Sequence, residues 1–369
     1  MPTIKDGTLI YVAHPEKNID PAVHFKYVEK DIDLDTVPLN GGVLLKTLYL
    51  SSDPYIRYRL RDPTVETFIP PIALGDPIDN FGAAVVLRSE DAKFKPGDYV
   101  GGYLEFSEYS VYPGKIHHEL KGPLEKVEQI PGVPLSAYTG TLGMAGNTGY
   151  QGIKGHAVEA LKTVLMFVSG GAALSGRAFV VEYVKAIAPH IKIIASPGTP
   201  DKVETMKNAG VDVAFSYKTQ DTFVVLKQHG PLDIYWDNVA GPTLDAALLN
   251  FNNDGLILLA TTTAASSGYA PSSSPRTTPT ANTGSLPAQH FDEIFKRRLR
   301  VEGFLIAHGK SGPVLAHFAE EVVPLVQQGK INIREHRYQG LREAGKALAD
   351  VHIGANTGKA VIVVAQAQE

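Results

Sequence analysis

Hydrophobic positions along Val164–Lys185, VLMFVSGGAALSGRAFVVEYVK, change their period twice. Val164–Val168 is an unbroken apolar run, Ser169–Gly176 is small and glycine-rich, and beyond it Phe179, Val180, Tyr183, Val184 and Ile187 recur at three- and four-residue spacing. That order predicts a strand, a tight loop and a helix. A helix opening there points its free N–H groups and positive dipole end at an anion, and a dinucleotide pyrophosphate is the expected one. The strict G-x-G-x-x-G pattern is absent, and a plain strand–helix turn competes with this reading. The residues that follow favour the nucleotide. Ile191–Ala195, Val211–Ser216 and Leu232–Trp236 are further β runs, and Asp201–Asn208 has helical composition. Strand–helix alternation at this spacing implies right-handed crossovers and a parallel sheet, an α/β fold.

Before this unit the pattern is different. From Gly7 to about Val111 short β runs alternate with Gly, Pro and Asp turns and show no sustained helical period, which predicts a β-rich domain. Within it, Phe94–Val100 (FKPGDYV) carries a Pro96–Gly97–Asp98 turn typical of a hairpin.

The end of the second β run bears on the cofactor. An NAD site places Asp or Glu there to bind the ribose 2′-hydroxyl, and that charge repels a 2′-phosphate. Here the run ends Ser196, Pro197, Gly198, and Lys202, Tyr217 and Lys218 supply cationic and hydroxyl donors nearby. The reading is NADPH, with Lys202 as a point charge. A solvated Lys202 beside Asp201 is the alternative.

Composition narrows the classes. A chain of 369 residues with 44% hydrophobic content more readily makes two domains than one. A formal charge of −4 gives no support for nucleic acid or an anionic membrane as partner. The N-terminus lacks an apolar signal core and no run has the length of a membrane span, so a soluble cytoplasmic protein is expected. With no cysteine, disulfides and Cys-ligated zinc sites are excluded. The 12 histidines are scattered apart from His117–His118 and form no HExxH, so no metal is expected.

Several stretches then occur in a telling order: DPYIR, FKPGDYV, LGMAGNTGYQGI (Leu142–Ile153), the glycine loop, GVDVAFSYKT (Gly210–Thr219), WDNVAG (Trp236–Gly241) and NTGKAVIVV (Asn356–Val364). Together they resemble the zinc-independent medium-chain dehydrogenase/reductases, in the prostaglandin reductase, leukotriene hydroxydehydrogenase and double-bond reductase branch. The resemblance implies a GroES-like β-rich catalytic domain at 1–139, a Rossmann doubly wound parallel sheet at 140–320, a return to the catalytic domain at 321–369 and an active site in the cleft between them. Ala360–Val364 is then an edge or closing strand.

The same resemblance places Met144 and Thr148 beside the nicotinamide and Lys202 and Tyr217 on the 2′-phosphate. Asn238 and Asn356 match amide contacts to the cofactor, Ala260, Thr261 and Thr262 the carboxyl end of the fifth sheet strand, and Phe304 and Ile306 backbone contacts to the carboxamide. Each is also explicable as an ordinary core or turn residue. The loop departs from the family's A-x-x-G-x-x-G, with Gly170, Ala173 and Gly176 in those places. A methyl at Ala173 obstructs close backbone approach to a pyrophosphate, a role Gly171 can take after a small shift. Arg177 then lies in the first helical turn, paired with a cofactor phosphate or solvated. The Ser/Thr/Pro-rich stretch Ala265–Pro287 buries too little apolar surface to form an element and reads as a lid or as an inert insertion. Within it Tyr269 resembles the family tyrosine that approaches the substrate oxygen.

Hydride transfer to a carbonyl needs an electrophile for the developing alkoxide, a role zinc often fills. A conjugated acceptor delocalises that charge as an enolate, so hydrogen bonds suffice. The expected activity is therefore NADPH-dependent reduction of the C=C bond of an α,β-unsaturated ketone or aldehyde, with Tyr55 and Tyr269 polarising the carbonyl. A structural role for Tyr55, a quinone or carbonyl reductase, and a cofactor-binding protein that has lost catalysis stay open. A small-molecule substrate is the implied partner, and a homodimer is compatible with the family, though periodicity assigns no interface. Turnover of Tyr55→Phe and Tyr269→Phe enzymes on an enone checks the two assignments, and full retention removes that residue from the chemistry.

Overall fold

The computed structural model describes residues 3–112, 123–170, 174–260, 289–306 and 312–367. The chain divides into two compact units, Met1–Met144 with Glu335–Glu369, and Ala145–Arg334.

In the first unit, β1 (Ile4–Tyr11) and β2 (Phe25–Ile32) form an antiparallel pair. The main sheet is built on β3 (Val43–Ser51), whose sequence VLLKTLYLS is buried along nearly all its length, as a strand covered on both faces must be. It pairs antiparallel with β4 (Asp79–Ser89), which continues through the Pro96–Asp98 turn into β5 (Tyr99–Glu105). The expected hairpin is present, closed by the Gly97 N–H on the Val86 carbonyl at 2.9 Å. β6 (Tyr109–Tyr112) also pairs with β3, and β7 (Glu125–Lys126) with β5.

The second unit alternates strand and helix as expected. In chain order come β8 (Leu165–Ser169), helix Leu174–Ile187, β9 (Lys192–Ser196), helix Pro200–Asn208, β10 (Val213–Ala214), helix Thr222–His229, β11 (Leu232–Asp237), helix Gly241–Leu248, β12 (Phe251–Leu259), helix Asp292–Arg297 and β13 (Arg300–Gly303). All pairings are parallel, and the spatial order β10-β9-β8-β11-β12-β13 is the doubly wound order 3-2-1-4-5-6. Phe179, Val180, Tyr183 and Val184 are buried along their helix, while Ile187 in its last turn is 41% exposed and outside the core. The third run is shorter than its apolar composition suggests. At one end Val211 N–H bonds back to the Met206 carbonyl and closes the preceding helix, and at the other the Ser216 carbonyl accepts from Thr219 and Gln220 in a turn.

The chain rejoins the first unit at Glu335, and residue 321, the expected point of return, lies in the helix Phe318–Gln327 of the second. β14 (Glu335–Gln339) runs parallel to β15 (Lys359–Val363), which is antiparallel to β3. β15 is therefore an interior strand, buried at every residue, and β14 takes the edge. Among the described residues no helix is long and apolar enough to cross a membrane.

Between β14 and β15 the helix Ala344–Ile353 packs its Ala347, Leu348 and Val351 into the first core. Its His352 sets Nδ1 2.6 Å from the Leu348 carbonyl and Nε2 3.2 Å from that of Pro54. Burial, with help from the Arg57 charge, pushes the imidazole down from 6.5 to about 4. A His depressed in the folded state binds its proton more readily unfolded, so its stabilising contribution is full above pH 6.5 and is lost as pH falls towards 4. Denaturant unfolding across this window should show a loss of at most about 3 kcal/mol that is absent from His352→Leu.

Candidate functional site

The doubly wound order reverses between β8 and β11, and open α/β sheets bind ligands outside the strand ends at such a point. Here those two ends are tied together. The Asn238 backbone N–H donates to Ser169 Oγ (3.1 Å), and its side-chain Nδ2 to the Ser169 carbonyl (2.9 Å). Tyr235 donates its hydroxyl proton to Asp237 Oδ1 at 2.8 Å, and its oxygen lies 2.9 Å from Ser169 Oγ. Asn238 Oδ1 in turn accepts from Trp236 Nε1 at 3.2 Å. The Asn238 amide, expected on the cofactor, thus joins two strands of its own unit. The chain leaves β8 through Gly170 at φ +94°, a conformation open to glycine at no steric cost, so the strand turns sharply at its end.

At the end of β9 the acid of an NAD site is absent and small groups converge. Ser196 is buried, and Tyr217 N–H donates to the Pro197 carbonyl at 3.2 Å. The Tyr217 ring lies against Gly198, where an added Cβ would come within 3.0 Å of it, and Tyr217 remains 47% exposed. Lys202, in the first turn of the helix Pro200–Asn208, is only 3% exposed, so its charge lies inside the unit while Asp201 faces outward. Thr199, at the helix N-cap, has its hydroxyl buried with no hydrogen-bond partner among the described residues. A hydroxyl unmet among the described residues, in the turn that joins the buried Ser196 to the buried Lys202, adds to a donor set of the kind a phosphate takes. Thr199 escaped the sequence reading; its signal is a Thr immediately before a helix-opening proline.

The helix Met144–Gly152 carries Met144 and Thr148 one turn apart and half-buried on one face. Its close seating depends on glycine, since a Cβ at Gly152 would fall 2.4 Å from the Trp236 ring and 2.7 Å from that of Phe304. Phe304 meets Trp236 edge-on with ring centres 5.9 Å apart, and Gln151 Nε2 donates to the Leu305 carbonyl at 3.1 Å. These contacts seat the Phe304 segment and Thr148's helix against Trp236, which is itself bonded to Asn238. Ala260 directly follows β12 and donates its N–H to the Asp237 carbonyl at 3.1 Å. Gly176 lies in the first turn of the helix Leu174–Ile187. Gly171, Ala173, the Arg177 side chain, Thr261, Thr262, Tyr269 and the whole of Ala265–Pro287 lie outside the described residues.

In the first unit, Tyr55 belongs to a polar network rather than standing free. Asn80 Nδ2 donates to the Ser51 carbonyl (2.8 Å) and to Asp53 Oδ2 (2.9 Å), which leaves Asn80 Oδ1 to accept the Tyr55 hydroxyl at 2.5 Å. The Tyr103 hydroxyl, in contact with that of Tyr55, must then donate to it. Asp53 pairs with Lys359 Nζ at 2.5 Å, both side chains about 95% buried, and Lys359 also donates to the Ser52 carbonyl. Burial raises the Tyr55 phenol well above its usual value. Asn80, Tyr103 and Lys359 were not singled out from sequence, although Lys359 opens the apolar strand of NTGKAVIVV. Asn356 is buried, donating Nδ2 to the Gly358 carbonyl at 2.7 Å, and its Oδ1 has no partner among the described residues.

Known proteins agree with this architecture. Residues 8–120 match the N-terminal domain of oxidoreductase family and residues 209–362 the zinc-binding dehydrogenase family. An NADP(+)-dependent 2-alkenal reductase of Nicotiana tabacum is 33% identical, the alignment covering 92% of this chain and 94% of that protein. The (+)-pulegone reductase of Mentha piperita is 29% identical over 89% of each chain length and 88% of this chain aligns with mouse prostaglandin reductase 1. Among solved structures, CurA of Vibrio vulnificus in complex with NADPH superimposes with a TM-score of 0.80 at 24% identity, covering 98% of this chain and 100% of CurA. The chain belongs to the medium-chain dehydrogenase/reductases and is an oxidoreductase. Within that family it falls in the zinc-independent branch of the double-bond reductases.

The glycine contact gives a direct check. Gly152→Ala should destabilise the fold by about 1–3 kcal/mol through overpacking. It should also shift the emission of Trp236, the chain's only tryptophan.

Proposed function

We propose that this protein reduces the C=C bond of α,β-unsaturated ketones or aldehydes with NADPH. The observation that carries the cofactor is the acid-free end of β9, where the unmet Thr199 hydroxyl stands with Ser196, the buried Lys202 and Tyr217. The substrate class is supported by relatives named for reducing alkenals and pulegone.

When bound, NADPH supplies the hydride that adds to the β-carbon of the acceptor. Lys202 holds the 2′-phosphate as a point charge, Thr199 and Ser196 add hydroxyl donors, and Tyr217 covers the group from its exposed side. Met144 and Thr148 present one helical face to the nicotinamide. Hydride addition to an enone leaves an enolate that spreads its own charge, so neutral hydrogen bonds at the oxygen are enough, and a proton from a tyrosine or water at the α-carbon completes the reduction. Tyr55 keeps its proton on Asn80 and its oxygen fixed by Tyr103, so its own hydroxyl has no proton left to give a substrate oxygen. Donation to the enolate oxygen falls to Tyr269.

Lys202→Ala should raise KM for NADPH about 10–100-fold, the worth of a charge-assisted contact, and leave the weaker use of NADH nearly unchanged. Enones, quinones and saturated ketones offered in parallel while NADPH oxidation is followed complete the test. Preference for the enone is expected, and preference for quinones or ketones overturns the substrate assignment.

A further inference from the structure

The corner after β11 holds a conformation that its sequence does not favour. Ala240 has φ +62° and ψ −159°, a region reached with ease only by glycine, and Gly241 follows at φ +55° to open the helix Gly241–Leu248. Such strain persists only where the surroundings impose it. The imposing group is Asp237, fully buried at the strand end. Its Oδ1 accepts the backbone N–H groups of Val239 and Ala240, each at 2.8 Å, and the Tyr235 hydroxyl at 2.8 Å, with Ser169 Oγ further off at 3.4 Å. Its Oδ2 is buried without a partner among the described residues. A carboxylate that crowds its donors onto one oxygen and, among the described residues, leaves the other unmet is poorly explained as a contribution to stability alone. It is well explained if the shape of the corner matters, because the corner lies where the strand order reverses and beside the turn at Gly170.

We propose that Asp237 is a positioning residue that holds the Val239–Gly241 corner in a strained form matched to the dinucleotide, so that binding affinity is set by a residue that never touches the ligand. The matched ligand rests on the NADPH reading above; the clamp itself does not. The role differs from that of a packing carboxylate in one respect. A glycine at 240 adopts the same corner without strain, and so must lessen the need for Asp237.

The test is a cycle of Asp237→Ala and Ala240→Gly, singly and together, on the full chain. Each protein is melted without ligand and titrated with NADPH, read by the fluorescence of Trp236, whose indole N–H bonds to Asn238 in the same turn. Ala240→Gly should raise the melting temperature by about 1–3 °C, whereas glycine at an unstrained site lowers it. Asp237→Ala should weaken NADPH at least about 10-fold, and in the glycine background by less than about 3-fold. Should Asp237→Ala fail to fold, Asp237→Asn, which keeps an oxygen acceptor but loses the charge, reads the same coupling from both backgrounds. A lower melting temperature for Ala240→Gly, or equal losses in the two backgrounds, overturns the proposal. If the unaltered protein does not bind NADPH, the cofactor reading fails, and the ligand-free melting cycle still decides the clamp.

Discussion

The hydrogen bonds that join the ends of β8 and β11 are the constraint on which the second unit depends. Neighbouring parallel strands hold each other along their lengths, but their carboxyl ends would splay where the crossovers depart in opposite directions. Ser169 and Asn238 close that gap with two side chains and two backbone groups, Asp237 holds the corner beyond, and the Trp236 indole backs the amide. Trp236 is in turn the surface on which the helix Met144–Gly152 and Phe304 rest. The placement of that helix and of Phe304 is therefore inherited from one small polar knot.

The first unit has its own equivalent in the ion pair of Asp53 and Lys359. Removing two charges from water is costly, and the pair is tolerable because each partner is satisfied by other groups: Asp53 by Ser51 and Asn80, and Lys359 by the Ser52 carbonyl. Its effect reaches beyond stability, since it fixes which end of the Asn80 amide faces Tyr55 and thereby the direction of the phenolic proton.

What could be read from sequence divides along physical lines. The Leu174–Ile187 helix and the runs at β8, β9 and β11 were legible because burial imposes a period that survives in the residues. The length of β10 was not, since backbone bonds at Val211 and Ser216 cut it short while its composition stays apolar. Lys202, Tyr217 and Lys218 could be grouped from the missing acid, but Ser196 and Thr199 join the candidates only through the turn of the chain. Asn238 and Tyr55 show the deeper limit. An amide or a phenol in a turn looks the same in sequence whatever neighbours it bonds, and the bonds of Asn238 to Ser169 and of Tyr55 to Asn80 come from residues 69 and 25 positions away. The interior place of β15 was hidden for a related reason, because its covering strand, β14, is short and polar.

The Asp53–Lys359 pair also orders events in time. Its partners are 306 positions apart, and β15 is what β3 pairs with on that flank. A ribosome delivers the contiguous second unit whole while the first still lacks its last strands. Until the final stretch emerges, Asp53 lacks its Lys359 counter-ion and the Tyr49–Ser51 end of β3 lies unpaired on that flank, while β6 already covers Val43–Lys46.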